Sequence, residues 1–130
     1  MPKKTKTLPA GPCFGHTMLR GGQIEGKFLR CYYLLSEEGE APLRVGFAVS
    51  SRVFNAVRRN RIKRLLREAV AREIQEVENA LSAAGRHASA VFFFKGSKSI
   101  PPTRLKVHTI QPDVSALCRM LASKLQSDHA

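Results

Sequence analysis

Residues 43–50 read L-R-V-G-F-A-V-S, and after a gap of four residues 55–68 read N-A-V-R-R-N-R-I-K-R-L-L-R-E. The first stretch alternates, so a strand places Val45, Phe47 and Val49 on one side. In the second, Ile62, Leu65, Leu66, Ala69, Val70, Ile74, Val77 and Leu81 recur at the three-and-four spacing of one buried helical stripe. A long helix from about Asn55 to about Leu81 is expected, with Asn55 as N-cap because its side-chain oxygen can accept from the free amides of the first turn. A strand feeding a long amphipathic helix is the nucleus of an α+β layer fold.

The same helix carries the charge. Between Arg52 and Arg72 lie eight Lys or Arg residues and one acid, Glu68, in a chain of formal net charge +12. At about 100° per residue, Asn60, Lys63, Arg64 and Arg67 share an arc pointing away from Ile62, Leu66 and Ala69. Arg58, Arg59 and Arg61 widen the positive field, and Arg52 precedes the helix. A solvated charged face usually mixes signs for i,i+4 pairing, and this one has almost no acids to pair with. The acids Glu73, Glu76 and Glu78 stand in the second half, although the helix dipole favours acids at the N-terminus. Helix stability did not place the cations; a polyanion is their natural partner.

Working outward, Lys27–Leu35 (K-F-L-R-C-Y-Y-L-L) reads as a strand, with Phe28, Arg30, Tyr32 and Leu34 on one face and Leu29, Cys31, Tyr33 and Leu35 on the other. Seven turn-forming or acidic residues separate it from the 43–50 strand, so an antiparallel hairpin is the simplest pairing. Arg30 on an apolar face reads either as an edge residue with its guanidinium in water or as a phosphate contact. Gly85 ends the helical region, and Ser89–Phe94 (S-A-V-F-F-F) is a third strand, apolar enough to be central. Lys95–Pro112 reads as a Gly, Ser, Pro and Lys/Arg loop whose cations add to a basic surface or simply keep it soluble, with a brief extended piece at Val107–Ile110. Pro112 suits the first turn of a last helix bearing Val114, Leu117, Leu121 and Leu125. Residues 1–12, with Lys3, Lys4, Lys6 and three prolines, are expected to be a flexible basic arm, and 13–130 one RNA-binding domain.

The composition narrows the function. The longest apolar run, Ala90–Phe94, is far short of the roughly 20 residues that span a bilayer. No apolar stretch follows the basic N-terminus, so no secretory signal is expected, and the expected location is the cytoplasm without membrane attachment. Cys13, Cys31 and Cys118 lack metal or redox spacing and read as free thiols. Four scattered histidines and only two aspartates, Asp113 and Asp128, make no cluster for divalent ions, so no catalytic or metal site is expected in the protein itself. Tyr32, Tyr33, Phe47 and Phe92–Phe94 lie on strands, where an aromatic either joins the core or stacks an unpaired base.

The 43–50 strand followed by the R-N-x-x-K-R-x-x-R helix of 59–67 resembles, in order and spacing, the bacterial ribonuclease P protein component. The likeness is specific from Leu43 to Glu68. It implies a small three- to four-stranded sheet packed by helices, with a left-handed βαβ crossover in a ribosomal-protein-like topology. It also implies a subunit that binds one large catalytic RNA and precursor tRNA, with the Mg2+ of the holoenzyme held mainly by RNA. By that resemblance Arg59, Asn60, Lys63, Arg64 and Arg67 contact the RNA subunit, Arg52 is one of a basic pair, and Phe14, Tyr32 and Tyr33 are candidates for the 5′ leader. The sequence departs from the pattern at Ser51, where a cation is usual, at Phe54, where Gly is usual, and in the N-terminal aromatic region, where Phe14 and Leu19 are the nearest matches. A ribosomal or assembly RNA-binding protein and a DNA-binding regulator are the other readings of such a helix, although no DNA partner is expected.

Overall fold

The computed structural model describes residues 6–7, 21–36, 43–50, 56–96 and 106–127. In chain order these form β1 (Lys6–Thr7), β2 (Gly22–Glu25), β3 (Leu29–Ser36), β4 (Leu43–Val49), α1 (Ala56–Ala84), β5 (His87–Phe94) and α2 (Val107–Ser127). The sheet order is β1-β4-β5-β3-β2. This is the expected α+β class, with a two-residue strand, β1, arising inside the stretch expected as a basic arm.

The hairpin expected between β3 and β4 does not form. β5 lies between them, antiparallel to β3 and parallel to β4. Burial decides the order. Ala88, Ala90, Phe92 and Phe94 of β5 are buried toward the helices and Val91 toward the opposite face, so the backbone N–H and C=O groups along both edges of this buried strand need a hydrogen-bonding neighbour on each side. A parallel neighbour requires a long crossover, and α1 supplies it. β2 was not expected. Its four residues, G-Q-I-E, bury only Ile24, too little apolar pattern to announce a strand, yet they pair antiparallel with β3 from Gly22↔Tyr33 to Glu25↔Arg30.

Both helices pack on one face of the sheet, α1 over β4 and β5, α2 over β3 and β2, and they pack extensively on each other. Of the stripe read along α1, Ile62, Leu66, Ala69, Val70, Ile74, Val77 and Leu81 are buried, and Leu65 is half-buried against the same core. The helix runs one turn past Leu81 and ends as a Schellman motif. Gly85 adopts φ +65°, its N–H donates to Ser82 O at 3.1 Å, and Arg86 N–H donates to Leu81 O at 2.9 Å.

α2 starts at Val107, so the extended piece expected at Val107–Ile110 is helical and Pro112 lies inside the helix. Proline removes one intrahelical donor, a local cost. The added turn is nevertheless held by Ile110, 1% exposed, by Gln111 Nε2 donating to Ala69 O at 2.9 Å, and by Thr109 N–H donating to Lys106 O at 3.0 Å. The helix therefore claims part of the segment read as the 95–112 loop; its middle, 97–105, lies outside the described residues. Among the described residues no helix is long and apolar enough to cross a membrane.

Cys31 on β3 and Cys118 on α2 are buried in the core between sheet and helices. Burial pushes the Cys118 thiol up to about 12 and raises that of Cys31 further. The thiolate is the reactive form, and at pH 8 a thiol near 12 is ionised to about one part in ten thousand. Both cysteines are therefore expected to resist iodoacetamide in the native protein and to react in guanidinium, read by peptide mapping. Native-state labelling of Cys118 would show that the α2–sheet core opens.

Candidate nucleic-acid interface

The N-terminal half of α1 presents the expected split. Ile62, Leu66 and Ala69 are buried, while Asn60, Arg64 and Arg67 are exposed and Lys63 is half-buried. Arg58 is exposed; Arg59 and Arg61 are half-buried. The first turn carries no acid, and the first carboxylate along the helix, Glu68, pairs with Arg72 at 3.2 Å, on the next turn. Among the described residues no carboxylate pairs with Lys63, Arg64 or Arg67. Arg58 and Arg59 stand in the first turn, at the positive end of the helix dipole, where each adds a small repulsion that a bound anion removes.

Arg67 is the cation whose position the sheet helps to fix. Its guanidinium lies 5.8 Å from the centre of the Phe47 ring on β4, and Phe47 stacks on Phe92 of β5 at 6.4 Å. The strand-to-helix motif thus has a mechanical meaning: β4 supplies the aromatic platform beneath a charge of α1. The alternation of 43–50 places Phe47 toward the helices, and only the three-dimensional packing puts Arg67 above it. Val57, 78% exposed, was also missed. It shares the i, i+3, i+4, i+7 row of Asn60, Arg61 and Arg64, so that row offers an apolar spot beside its cations.

Of the leader candidates, the two described tyrosines are not brought together. Phe14 lies outside the described residues, as do Arg52, Leu19, Ser51, Phe54 and Asn55. Tyr32 and Tyr33 project to opposite faces of β3. Tyr33 is half-buried on the helix side, its ring so close to Gly22 that a Cβ there would sit 2.5 Å from Cζ. Tyr32 lies on the face away from the helices beside Val91, Ala48 and Phe93, and is only 8% exposed. Of the two tyrosines only Tyr32 lies on that face, where Val91 beside it is fully buried.

Arg30 is not an edge residue, because β3 has β2 on one side and β5 on the other. Its Nε donates to Glu25, its Nη1 donates to Tyr32 Oη at 3.1 Å, and the guanidinium sits 5.9 Å from the Tyr32 ring centre. Asp113, read as one of two stray aspartates, is a structural clamp. It accepts from the backbone N–H groups of Lys27 at 2.7 Å, Phe28 at 2.9 Å and Leu29 at 3.0 Å.

Comparison with known proteins agrees with this architecture. A family model described as Ribonuclease P matches residues 1–106. The chain is 32% identical over 100 residues to the ribonuclease P protein component of Bacillus velezensis, covering 75% of this chain and 85% of that one. It is 58% identical over 40 residues to the same component of Brevibacillus brevis, a match spanning 31% of this chain and 32% of that protein. The fold superimposes on the RNase P protein of Staphylococcus aureus with a TM-score of 0.68 at 19% identity, over 90% of this chain and 95% of the other. For the RNase P protein from Thermotoga maritima the TM-score is 0.69 at 18% identity, over 88% and 96%.

Proposed function

The chain belongs to the ribonuclease P family, and from that premise we propose that it is the protein subunit of ribonuclease P, an endoribonuclease that removes the 5′ leader of precursor tRNA. The observation that carries this reading is the one-sided cationic face of α1: Asn60, Lys63, Arg64 and Arg67 outward, and Ile62, Leu66 and Ala69 locked in the core behind them. A face held rigidly at its back spends little conformational entropy when it meets a phosphate backbone. Its partner in this reading is the catalytic RNA subunit, with Arg58, Arg59 and Arg61 adding to the field and Arg52 extending it.

In this reading the protein contributes binding and electrostatics while the RNA and its Mg2+ ions carry the hydrolysis. The cations relieve phosphate repulsion where RNA subunit and precursor meet, which lowers the magnesium needed for assembly. In the same reading the sheet face away from α1 and α2, on which Tyr32 lies, receives the single-stranded leader. The work is cytoplasmic in this reading, where tRNA precursors are processed.

The deciding experiment is reconstitution with ribonuclease P RNA at low magnesium. The expected result is cleavage of precursor tRNA at the mature 5′ end only when both components are present. Absence of stimulation by the protein would sink the assignment. Ribosomal RNA as the species that co-purifies at moderate salt would favour a ribosome-assembly protein instead.

A further inference from the structure

We propose that Phe47 of β4 is a positioning residue for RNA binding: its ring, backed by Phe92, presets the Arg67 guanidinium of α1 for a phosphate. The proposal rests on the RNA-binding reading of the α1 face and adds to it a residue that acts through Arg67 alone.

The platform is built in layers from the core outward. Phe92 on the central strand β5 is fully buried, and its register partner across the parallel ladder is Phe47. The two rings stack at 6.4 Å with 24° between their planes, so a close-packed neighbour sets the tilt of the Phe47 ring. Phe47 itself is half-buried, packed against the helix-side core with part of its ring left at the surface. Arg67 reaches it from α1. Leu66, Ala69 and Val70 are buried, which fixes the backbone that carries Arg67. Its guanidinium carbon lies 5.8 Å from the Phe47 ring centre, within cation–π reach.

The same helix supplies the contrast. Lys63 and Arg64 stand on the same face, and among the described residues no ring lies under either. Arg64 is therefore held by its backbone alone, whereas Arg67 is held at both ends of its side chain. Among the described residues no carboxylate pairs with Arg67, so the ring restrains the charge without neutralising it. That distinction matters for a phosphodiester. A carboxylate partner restrains an arginine but must be displaced or shared when an anion arrives, whereas an aromatic face leaves the five N–H donors of the fork open. A long side chain already confined also loses less rotamer freedom on contact, which favours binding without any new contact. Core packing alone asks only for apolar volume at position 47, which leucine also supplies.

The test is a double-mutant cycle on binding of the intact chain to ribonuclease P RNA, read against salt. Phe47→Leu is expected to weaken binding about 2- to 5-fold and to leave the salt slope unchanged, because every cation is still present. Arg67→Ala lowers the slope by about 0.7 to 0.9, and in that background Phe47→Leu is expected to have no further effect. In the Arg64→Ala background its full loss is expected to remain. Phe47→Tyr, which keeps the ring, is expected to bind like the parent. Phe47→Met, which keeps apolar volume without a ring, repeats the cycle should leucine loosen the core. Thermal melts place every assay well below unfolding, where a ring that serves folding alone leaves affinity untouched. Parental affinity in Phe47→Leu overturns the proposal, as does an equal loss in the Arg67→Ala background or an equal loss by Phe47→Tyr. The arginine variants separate the failures. If Arg64→Ala and Arg67→Ala both lower the slope while Phe47→Leu changes nothing, only the role of Phe47 falls; if neither lowers it, the RNA reading of the face falls as well.

Discussion

Replacing Arg64 and Arg67 together by Ala is expected to weaken binding to ribonuclease P RNA about 25- to 60-fold near 0.1 M salt, and to lower the slope of log affinity against log salt by about one and a half to two. Each phosphate contact releases condensed counterion worth ~0.7 to ~0.9 in slope, and the affinity loss follows by taking two such contacts one decade below molar salt. In free energy this is about 2 to 2.5 kcal/mol, more than the ~1 kcal/mol a neutral hydrogen bond contributes, which is why the slope and not the affinity alone identifies the mechanism. The two residues differ in one respect. Arg64 is an exposed cation with no acidic partner among the described residues, whereas Arg67 also rests on Phe47. Arg67→Ala is therefore expected to lose about 0.5–1 kcal/mol of stability as well, and Arg64→Ala almost none, read from thermal melts of the free protein. An unchanged salt slope in the double variant would mean that this face does not meet the phosphate backbone.

The parts of the fold legible in the sequence were those governed by local periodicity. The buried stripe of α1 and the cationic arc opposite it follow from spacing alone, and burial reproduces both. The apolarity of Ser89–Phe94 likewise marked the strand that proves central. Strand pairing was not local. A short, polar connection between β3 and β4 favours a hairpin, but β5 is the most buried strand, and inserting it between them pairs the backbone groups on both of its edges. Pro112 misled for a similar reason: the propensity of one residue against helix interior is outweighed by Ile110 sealed in the core. The sites follow the same rule. Asn60, Lys63, Arg64 and Arg67 belong to one helix and were visible together. Phe47 reaches Arg67 only through the packing of α1 on β4, and no spacing rule links the two. Phe14, taken from family likeness, and Arg52, read from the charge of the segment as well as from the likeness, fall outside the described residues.

Asp113→Ala is expected to cost about 3 kcal/mol of stability, a fall in melting temperature of roughly 10 °C for a domain of this size. The carboxylate receives three backbone N–H groups from the turn between β2 and β3, and two of them, Phe28 and Leu29, are part-buried and have no easy access to water once it is gone. Hydrogen bonds to a charged acceptor contribute about 1.5–3 kcal/mol, and a buried donor left unpaired costs about 1–3 kcal/mol. The exposed Lys27 amide regains water, so the three bonds are not summed. Gly26 supplies an independent check on the same clamp. A Cβ at that position would lie 2.5 Å from Asp113 Oδ1 and 2.8 Å from Oδ2, so Gly26→Ala pushes the carboxylate off its three donors. The side chain of aspartate is too short to move aside and keep them. Gly26→Ala is therefore expected to destabilise the parent by a comparable amount, yet to cost far less in the Asp113→Ala background, where the obstruction is absent. That non-additivity, measured by denaturant unfolding of the four proteins in the cycle, is the signature of a shared contact. Additive losses would mean that the turn is held by something other than Asp113. Because the turn is remote from the cationic row of α1, loosening it is expected to leave that face intact: RNA affinity through Arg64 and Arg67 should survive in whatever fraction of the protein remains folded.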